Sequence, residues 1–214
     1  IEGSDLIWRL DHWVLQQALA DLARWTTSSR PLNVHVNMSA ASLSSPGFLD
    51  EVCALVEAHP SLAPAQLGIE VLETSALEDL EAISATLRDG NRRGIRFALD
   101  DFGTGYSSLT YFRQLPTAVL KIDQSFIRNM LKDKDDLRIV EAVIGLAHAF
   151  DREVVAEGVE TEAHGELLLR MGCALAQGYG IARPMSRDRV LPWLRDYRQP
   201  TAWSAVSGHI WLQE

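Results

Sequence analysis

Residues that can bind a metal ion or a phosphate stand near the ends of short apolar runs throughout this sequence. Most of them are carboxylates and amides, and no cluster of His or Cys accompanies them. Oxygen donors of this kind favour Mg²⁺ or Mn²⁺ over Zn²⁺. A pair of such ions can activate water for in-line attack on a phosphodiester. The candidates are Asn37, Glu70, Glu73, Asp100, Asp101, Lys121, Asp123, Glu157 and Gln177.

Two of these positions are difficult to explain as ordinary surface residues. Lys121 lies inside the apolar run 119–122, and a lysine in such surroundings needs a partner charge or a functional reason. Asp100 and Asp101 follow another apolar run and raise the same difficulty. The other positions have simpler explanations, because a single Asp or Glu after a strand most often caps a helix or faces solvent. These alternatives are a helix cap at Asp123, a loop anchor at Glu73 and a turn at Asn37.

The six histidines are scattered without the spacing of metal ligands. Most fit surface or satisfied interior positions. His35 alternates with Asn33 and Asn37 along one predicted strand and shares their face, so it is a further candidate for the site.

Short β-rich runs alternate with helical stretches, which predicts parallel strands joined by helical crossovers. Both an open doubly wound sheet and a closed (β/α)8 barrel fit this pattern. In a barrel the carboxyl ends of the strands meet at one mouth, where the candidate residues would become neighbours. The predicted strands are 32–38, 67–72, 95–100, 118–122, 153–156 and 174–177, with Tyr179–Ala182 as a candidate for one more. The predicted helices are 5–25, 48–58, 76–89, 107–114, 135–150, 162–171 and 187–197.

The composition is that of an ordinary globular domain, with 47% apolar and 23% charged residues. A net charge of −9 argues against a protein that tracks a DNA or RNA polymer. No apolar run approaches the ~20 residues that span a bilayer. Cys53 and Cys173 form no CxxC pair, so we expect reduced, buried thiols. We expect one domain over residues 1–198 and a C-terminal tail, 199–214, that packs on it.

One run of ten residues makes the pattern more specific. The run Asp100-Asp101-Phe102-Gly103-Thr104-Gly105-Tyr106-Ser107-Ser108-Leu109 resembles the signature of EAL domains, which are bacterial cyclic di-GMP phosphodiesterases. The resemblance extends over about residues 1–197 and implies a (β/α)8 barrel that hydrolyses cyclic di-GMP to linear pGpG with two Mg²⁺ or Mn²⁺ ions. The supporting matches, in the family's order, are Asn37-Met38-Ser39, Glu70-Val71-Leu72-Glu73, Leu120-Lys121-Ile122-Asp123, Ala156-Glu157-Gly158-Val159-Glu160-Thr161, and Gln177-Gly178-Tyr179 leading to Arg183-Pro184.

The resemblance also implies which residues would hold the two ions. Asn37, Glu70 and Asp100 would bind the first. Asp100, acting as a bridge, would bind the second together with Asp101 and Glu157.

Further roles follow from the same resemblance. Lys121 would position the attacking water and help to activate it, so that Lys121, Glu157 and Asp101 form the catalytic set. Gln177 and Asp123 would lie at the substrate. Glu73 would anchor the loop after Asp101 and couple it to dimerisation.

The sequence departs from the family pattern in two places. The tripeptide Glu-Ala-Leu, which carries a metal ligand on the family's first strand, is absent from these 214 residues. We therefore expect a TIM-like barrel that lacks its first strand and helix, and an isolated chain less active than a complete domain. The family commonly has Thr where this chain has Leu72, a position that is not a ligand, so we expect a small effect there.

Two other functions compete with phosphodiesterase activity. One is a degenerate, non-catalytic receptor or regulatory domain for cyclic di-GMP, and the other is a dimerisation module that no longer meets the nucleotide. Whichever of the three functions holds, the resemblance implies a cytoplasmic homodimer with a sensor or diguanylate cyclase domain upstream in the parent chain. Upstream segments that tether the parent to the inner membrane are a further expectation.

Overall fold

The computed structural model of the chain describes residues 5–26, 31–104 and 109–206. Strands and helices alternate along these residues. The strands are β1 (Val34–Asn37), β2 (Leu67–Leu72), β3 (Arg96–Phe102), β4 (Val119–Ile122), β5 (Glu153–Glu157) and β6 (Leu175–Gln177). The α-helices are α1 (Asp5–Trp25), α2 (Ala40–Leu43), α3 (Phe48–Glu57), α4 (Glu73–Glu78), α5 (Leu80–Arg92), α6 (Leu109–Gln114), α7 (Gln124–Asn129), α8 (Lys134–Ala149), α9 (Glu162–Arg170), α10 (Arg187–Asp196) and α11 (Thr201–Val206). A 3₁₀ turn covers Pro64–Gln66.

The chain forms two compact units. The first consists of residues 1–100 and 105–118, and the second of residues 101–104 and 119–214. Strand order follows chain order in each, from β1 through β2 to β3 and from β4 through β5 to β6. The pairs β1–β2, β2–β3, β4–β5 and β5–β6 are all parallel, as the strand–helix alternation predicts.

Strand β2 of the first unit and strand β4 of the second are buried over almost all of their length. Five of the six residues of β2 are buried, and so are all four of β4. Such continuous apolar runs are typical of parallel strands. At Gly90 on α5, an added Cβ would lie 2.5 Å from the ring of Phe97, so this glycine allows α5 to lie close against β3.

Most predicted boundaries agree with the structure to within two residues, but the helix predicted over 76–89 is wrong. The structure has two helices there, α4 and α5, with a break at Asp79. Asp79 leaves the helical conformation (φ −139°, ψ 67°), and its side chain accepts a hydrogen bond from the backbone N–H of Ala82. Asp79 is therefore the N-cap of α5, which explains why a new helix begins there.

The additional strand considered at Tyr179–Ala182 is also wrong, since these residues form a turn. The N–H groups of Ile181 and Ala182 both donate to the carbonyl oxygen of Gly178, which closes the turn locally. These backbone groups are therefore not available to a neighbouring strand.

Part of the expected C-terminal tail packs on the second unit, as α11. Trp203 is buried, and its Nε1–H donates to the carbonyl oxygen of Glu162 at 2.8 Å. Its ring covers Gly165 on α9, where an added Cβ would lie 2.3 Å away. Ile210 and Trp211 lie outside the described residues. No helix in the described ranges is both long and apolar enough to cross a membrane.

Candidate metal and substrate site

Three of the predicted metal ligands lie on neighbouring strands of the first unit. In the β1–β2 register Asn37 stands opposite Glu70. In the β2–β3 register Glu70 stands opposite Ala98, so Asp100, two residues further on, points to the same face as Glu70. Glu70 and Asp100 are buried. The strand ends therefore present an amide and two carboxylates on one face of the sheet.

A second group of polar residues lies on β4, β5 and β6. Lys121 Nζ lies 2.6 Å from Glu157 Oε1, and the two side chains are only 5% and 12% exposed. Gln177, which stands opposite Glu157 in the β5–β6 register, donates from Nε2 to the same oxygen at 2.5 Å. The partner charge that a lysine in an apolar strand requires is thus Glu157.

Asp101 and Glu157, both in the second unit, are two acidic residues that could hold a metal ion together. Each offers a carboxylate oxygen, and these oxygens lie within 4.8 Å of one another. With Lys121 as the cation beside Glu157, two negative charges meet one positive charge, which leaves a net negative charge that a metal cation would balance. Buried carboxylates this close repel one another strongly without such a cation. The donor set therefore fits Mg²⁺ or Mn²⁺.

The backbone at Asp101 has an unusual conformation. Its φ of +54° lies in the left-handed region, which residues other than glycine rarely adopt. Thr104 Oγ1 donates to the carbonyl oxygen of Asp101 at 2.9 Å and closes the turn that follows. Gly103, with φ +102°, sits in the same turn. Strain of this kind is often found at functional sites. Residues 105–108 of the signature run lie outside the described residues.

An open cavity of about 490 Å³ adjoins this group in the second unit. Glu157 and Gln177 line it together with Tyr179 and two arginines, Arg128 and Arg183. The guanidinium of Arg183 lies 4.7 Å from the centre of the Tyr179 ring, a cation–π geometry. The cavity thus offers an aromatic face and positive charge beside the acidic group, which suits a nucleotide with a phosphate.

The structure gives two predicted residues different surroundings from the rest. Asp123 is the N-cap of α7, where its carboxylate accepts hydrogen bonds from the backbone N–H and the hydroxyl of Ser125. The capping alternative therefore holds for Asp123, while a substrate contact stays a prediction. Glu73 is buried at the first position of α4. Leu72 is the N-cap of the same helix and makes no side-chain capping bond.

The sequence gives little or no indication of two contacts at the site. His35 contacts Glu70, with Nδ1 3.1 Å from Oε1, and only the alternation along its strand pointed to it. Arg128 pairs with Glu160 at 2.9 Å on the cavity wall. The sequence gives no indication that Arg128 pairs with Glu160, because the pairing depends on how α7 lies beside β5.

Both cysteines are free as expected, but only Cys173 is buried, while Cys53 is half-buried.

Comparisons with known proteins give the same assignment as the motifs. The family model of the EAL domain matches residues 1–184. The chain is a member of the EAL domain family. Among curated relatives of this EAL domain, "Bifunctional diguanylate cyclase/cyclic di-GMP phosphodiesterase MucR" of Pseudomonas aeruginosa is 39% identical over 191 residues, which cover 89% of this chain and 28% of the relative. "Cyclic di-GMP phosphodiesterase PA2567" of the same species is 38% identical over 194 residues, 91% of this chain and 33% of the relative.

A solved EAL structure confirms the predicted fold class. "PaMucR Phosphodiesterase, c-di-GMP complex" superposes with a TM-score of 0.81 at 40% identity, over 87% of this chain and 75% of that one. The chain therefore has the α/β fold of EAL domains, a truncated TIM-like barrel with six parallel strands in the described residues. It spans about a third or less of the length of the curated relatives named above.

Proposed function

We propose that this EAL domain hydrolyses cyclic di-GMP to linear pGpG by means of a metal-activated water. Two relatives at 38–39% identity are named as cyclic di-GMP phosphodiesterases, and a structure at 40% identity is a complex with this nucleotide. The observation that carries the proposal is the buried ion pair of Lys121 and Glu157 beside the carboxylate of Asp101. Paired carboxylates can hold metal ions that activate a water, and a lysine beside them can orient that water for attack on a phosphodiester.

In the proposed site, two sets of residues hold the metal ions. Asn37, Glu70 and Asp100 are the proposed ligands of one ion. Asp101 and Glu157, with Asp100 shared, are the proposed ligands of the other. Bound Mg²⁺ or Mn²⁺ would supply a water of lowered pKa and positive charge to balance the phosphate.

The side chains of the second unit would handle the water and its proton. Lys121 Nζ lies 2.6 Å from Glu157 Oε1, and its ammonium is the proposed group that holds the attacking water in place. Gln177 donates to the same Glu157 oxygen from Nε2, and its own amide oxygen can accept from a water or a substrate hydroxyl. Lys121 therefore orients the nucleophile, while Glu157 and Asp101 fix the electrostatics around it.

The cavity beside these residues is the proposed seat of one part of the nucleotide. The exposed ring of Tyr179 offers a stacking surface for a base, and Arg183 adds positive charge next to it. Gln177 bonds to Glu157 and lines the same cavity, where it would contact the substrate. Asp123 is a further proposed contact, and Glu73 the proposed anchor of the loop after Asp101.

The test is turnover of cyclic di-GMP by the full-length protein in Mg²⁺ or Mn²⁺, with pGpG separated by anion-exchange chromatography. We expect pGpG to form, EDTA to stop its formation, and Lys121→Met to abolish it. Lys132→Met is the matched control, because Lys132 is exposed in the loop before α8. Turnover that survives Lys121→Met would contradict the proposal. Tight binding of the nucleotide without turnover would instead assign a receptor role.

The proposal extends to the assembly of the protein. One relative is named as a bifunctional cyclase and phosphodiesterase, which supports a second signalling domain in the parent of this chain. We propose a cytoplasmic homodimer on the basis of the family. Light scattering of the full-length protein would give its mass, and a monomer at micromolar concentration would contradict the dimer.

A further inference from the structure

One histidine contacts a proposed metal ligand, and the family roles above do not include it. His35 lies on β1, two residues before Asn37 and on the same face. Its Nδ1 lies 3.1 Å from Oε1 of Glu70 on the neighbouring strand, and the Glu70 side chain is only 7% exposed. An ionised carboxylate only accepts hydrogen bonds, so Nδ1 carries the proton in this contact.

The backbone of β2 leaves room for this ring. Gly68 stands opposite His35 in the β1–β2 register and precedes Glu70 by two residues. A Cβ built at Gly68 would lie 2.7–2.8 Å from three atoms of the imidazole ring, closer than real contacts allow. The ring therefore covers the glycine, and any larger residue at position 68 would push it away. The location of the imidazole thus depends on two residues that fit each other.

We propose that His35 is a positioning residue for the metal ligand Glu70. The Nδ1–H bond to Oε1 fixes the rotation of the carboxylate and so the direction in which Oε2 points. Groups that orient metal ligands in this way typically change metal affinity by about 10–100-fold when they are removed. The inference deepens the proposed function, on which the assignment of Glu70 as a ligand rests.

The contact favours a positioning role over direct ligation by the ring. The nitrogen that faces Glu70 carries a proton and donates a hydrogen bond to the carboxylate, so it has no lone pair to offer an ion. The other ring nitrogen, Nε2, lies over Gly68, because it would be 2.7 Å from a Cβ added at that glycine. Asn is the matched conservative replacement, because its side-chain N–H₂ can take the place of Nδ1–H.

The experiment measures Mn²⁺ binding to the full-length protein without nucleotide, by the electron paramagnetic resonance signal of free Mn²⁺. We expect His35→Ala to weaken the binding of one ion by about 10–100-fold. His35→Asn should keep most of the affinity. Gly68→Ala should weaken binding as well, and the double variant of Gly68→Ala with His35→Ala should be no weaker than His35→Ala alone, since both act on one contact. His148→Ala, an exposed histidine at the end of α8, is the control.

Several results would overturn the inference. These are unchanged affinity in His35→Ala, equal losses in the Ala and Asn variants, no Mn²⁺ binding by the wild type, or a directly bound nitrogen in the electron spin-echo spectrum of bound Mn²⁺. Should His35→Ala fail to fold by circular dichroism, the Asn and Gly68 variants carry the test. A wild type that binds Mn²⁺ with the expected pattern but produces no pGpG would refute the proposed function and leave the role of His35 standing.

Discussion

Replacement of Lys121 by Met separates the two roles of the buried ion pair, in stability and in catalysis. Met is close to Lys in length and shape but carries no charge, so Lys121→Met removes the ammonium and leaves the packing of β4 nearly unchanged. Glu157 would then keep a negative charge in a site where its side chain is only 12% exposed. We expect the variant to be both inactive and less stable.

The size of the loss follows from the burial of both partners. Removal of one member of a buried ion pair typically costs about 3–5 kcal/mol, because the other charge is left uncompensated. No large discount for solvent applies, since the Lys121 side chain is 5% exposed. For a chain of this length, each kcal/mol lowers the melting temperature by roughly 2–4 °C. We therefore expect Lys121→Met to lower it by roughly 6–20 °C in EDTA.

A second substitution then tests the cause. Glu157→Gln combined with Lys121→Met removes the orphaned charge, so we expect the double variant to regain about 2 kcal/mol relative to Lys121→Met. Urea unfolding followed by circular dichroism gives the stability, and pGpG formation gives the activity. Stability should return in the double variant while activity does not. A single variant within about 1 kcal/mol of the wild type, or a double variant less stable than the single one, would refute the reasoning.

Three further predictions concern capping, packing and thiol reactivity. Leu72→Thr supplies the side-chain cap that α4 lacks, so urea unfolding should show a gain of about 1 kcal/mol, and no gain would contradict the capping argument. Trp203→Ala removes a buried ring and its bond to Glu162, so we expect a loss of about 3 kcal/mol and rapid proteolysis near α11, whereas an unchanged digest would count against it. Burial raises the pKa of Cys173 to about 12, so at pH 8 Ellman's reagent should label Cys53 first, and equal rates would show that Cys173 is accessible.

The strands were the most predictable part of the fold. Their runs of buried apolar residues contain a charged residue near the end or are followed by one, and this pattern is visible without any tertiary information. Helix breaks and turns were harder to predict. The break at Asp79 depends on one side chain capping the next helix, and the turn after Gly178 depends on φ values that only glycine adopts easily. Neither feature changes the apolar periodicity, so periodicity alone predicted a single helix and an additional strand.

The site was predictable as a set of residues but not as a set of contacts. The strand-end position of Lys121 indicated that it needs a partner, yet several carboxylates qualified. Only the register of β4, β5 and β6 selects Glu157 and adds Gln177 to it. The bond between His35 and Glu70 likewise depends on the β1–β2 register and on the absence of a side chain at Gly68. Such contacts join residues far apart in the sequence, and the pattern of residue types along one sequence does not show which of them meet.

The most direct test of the central claim is anomalous X-ray diffraction from crystals of the full-length protein grown with Mn²⁺ and recorded at the manganese absorption edge. We propose that strand-end oxygens of this EAL domain hold the cations used for hydrolysis. We expect a strong anomalous peak in contact with the carboxylates of Asp101 and Glu157, and its loss in Asp101→Asn. Anomalous density elsewhere in the protein, with none at these carboxylates, would contradict the claim.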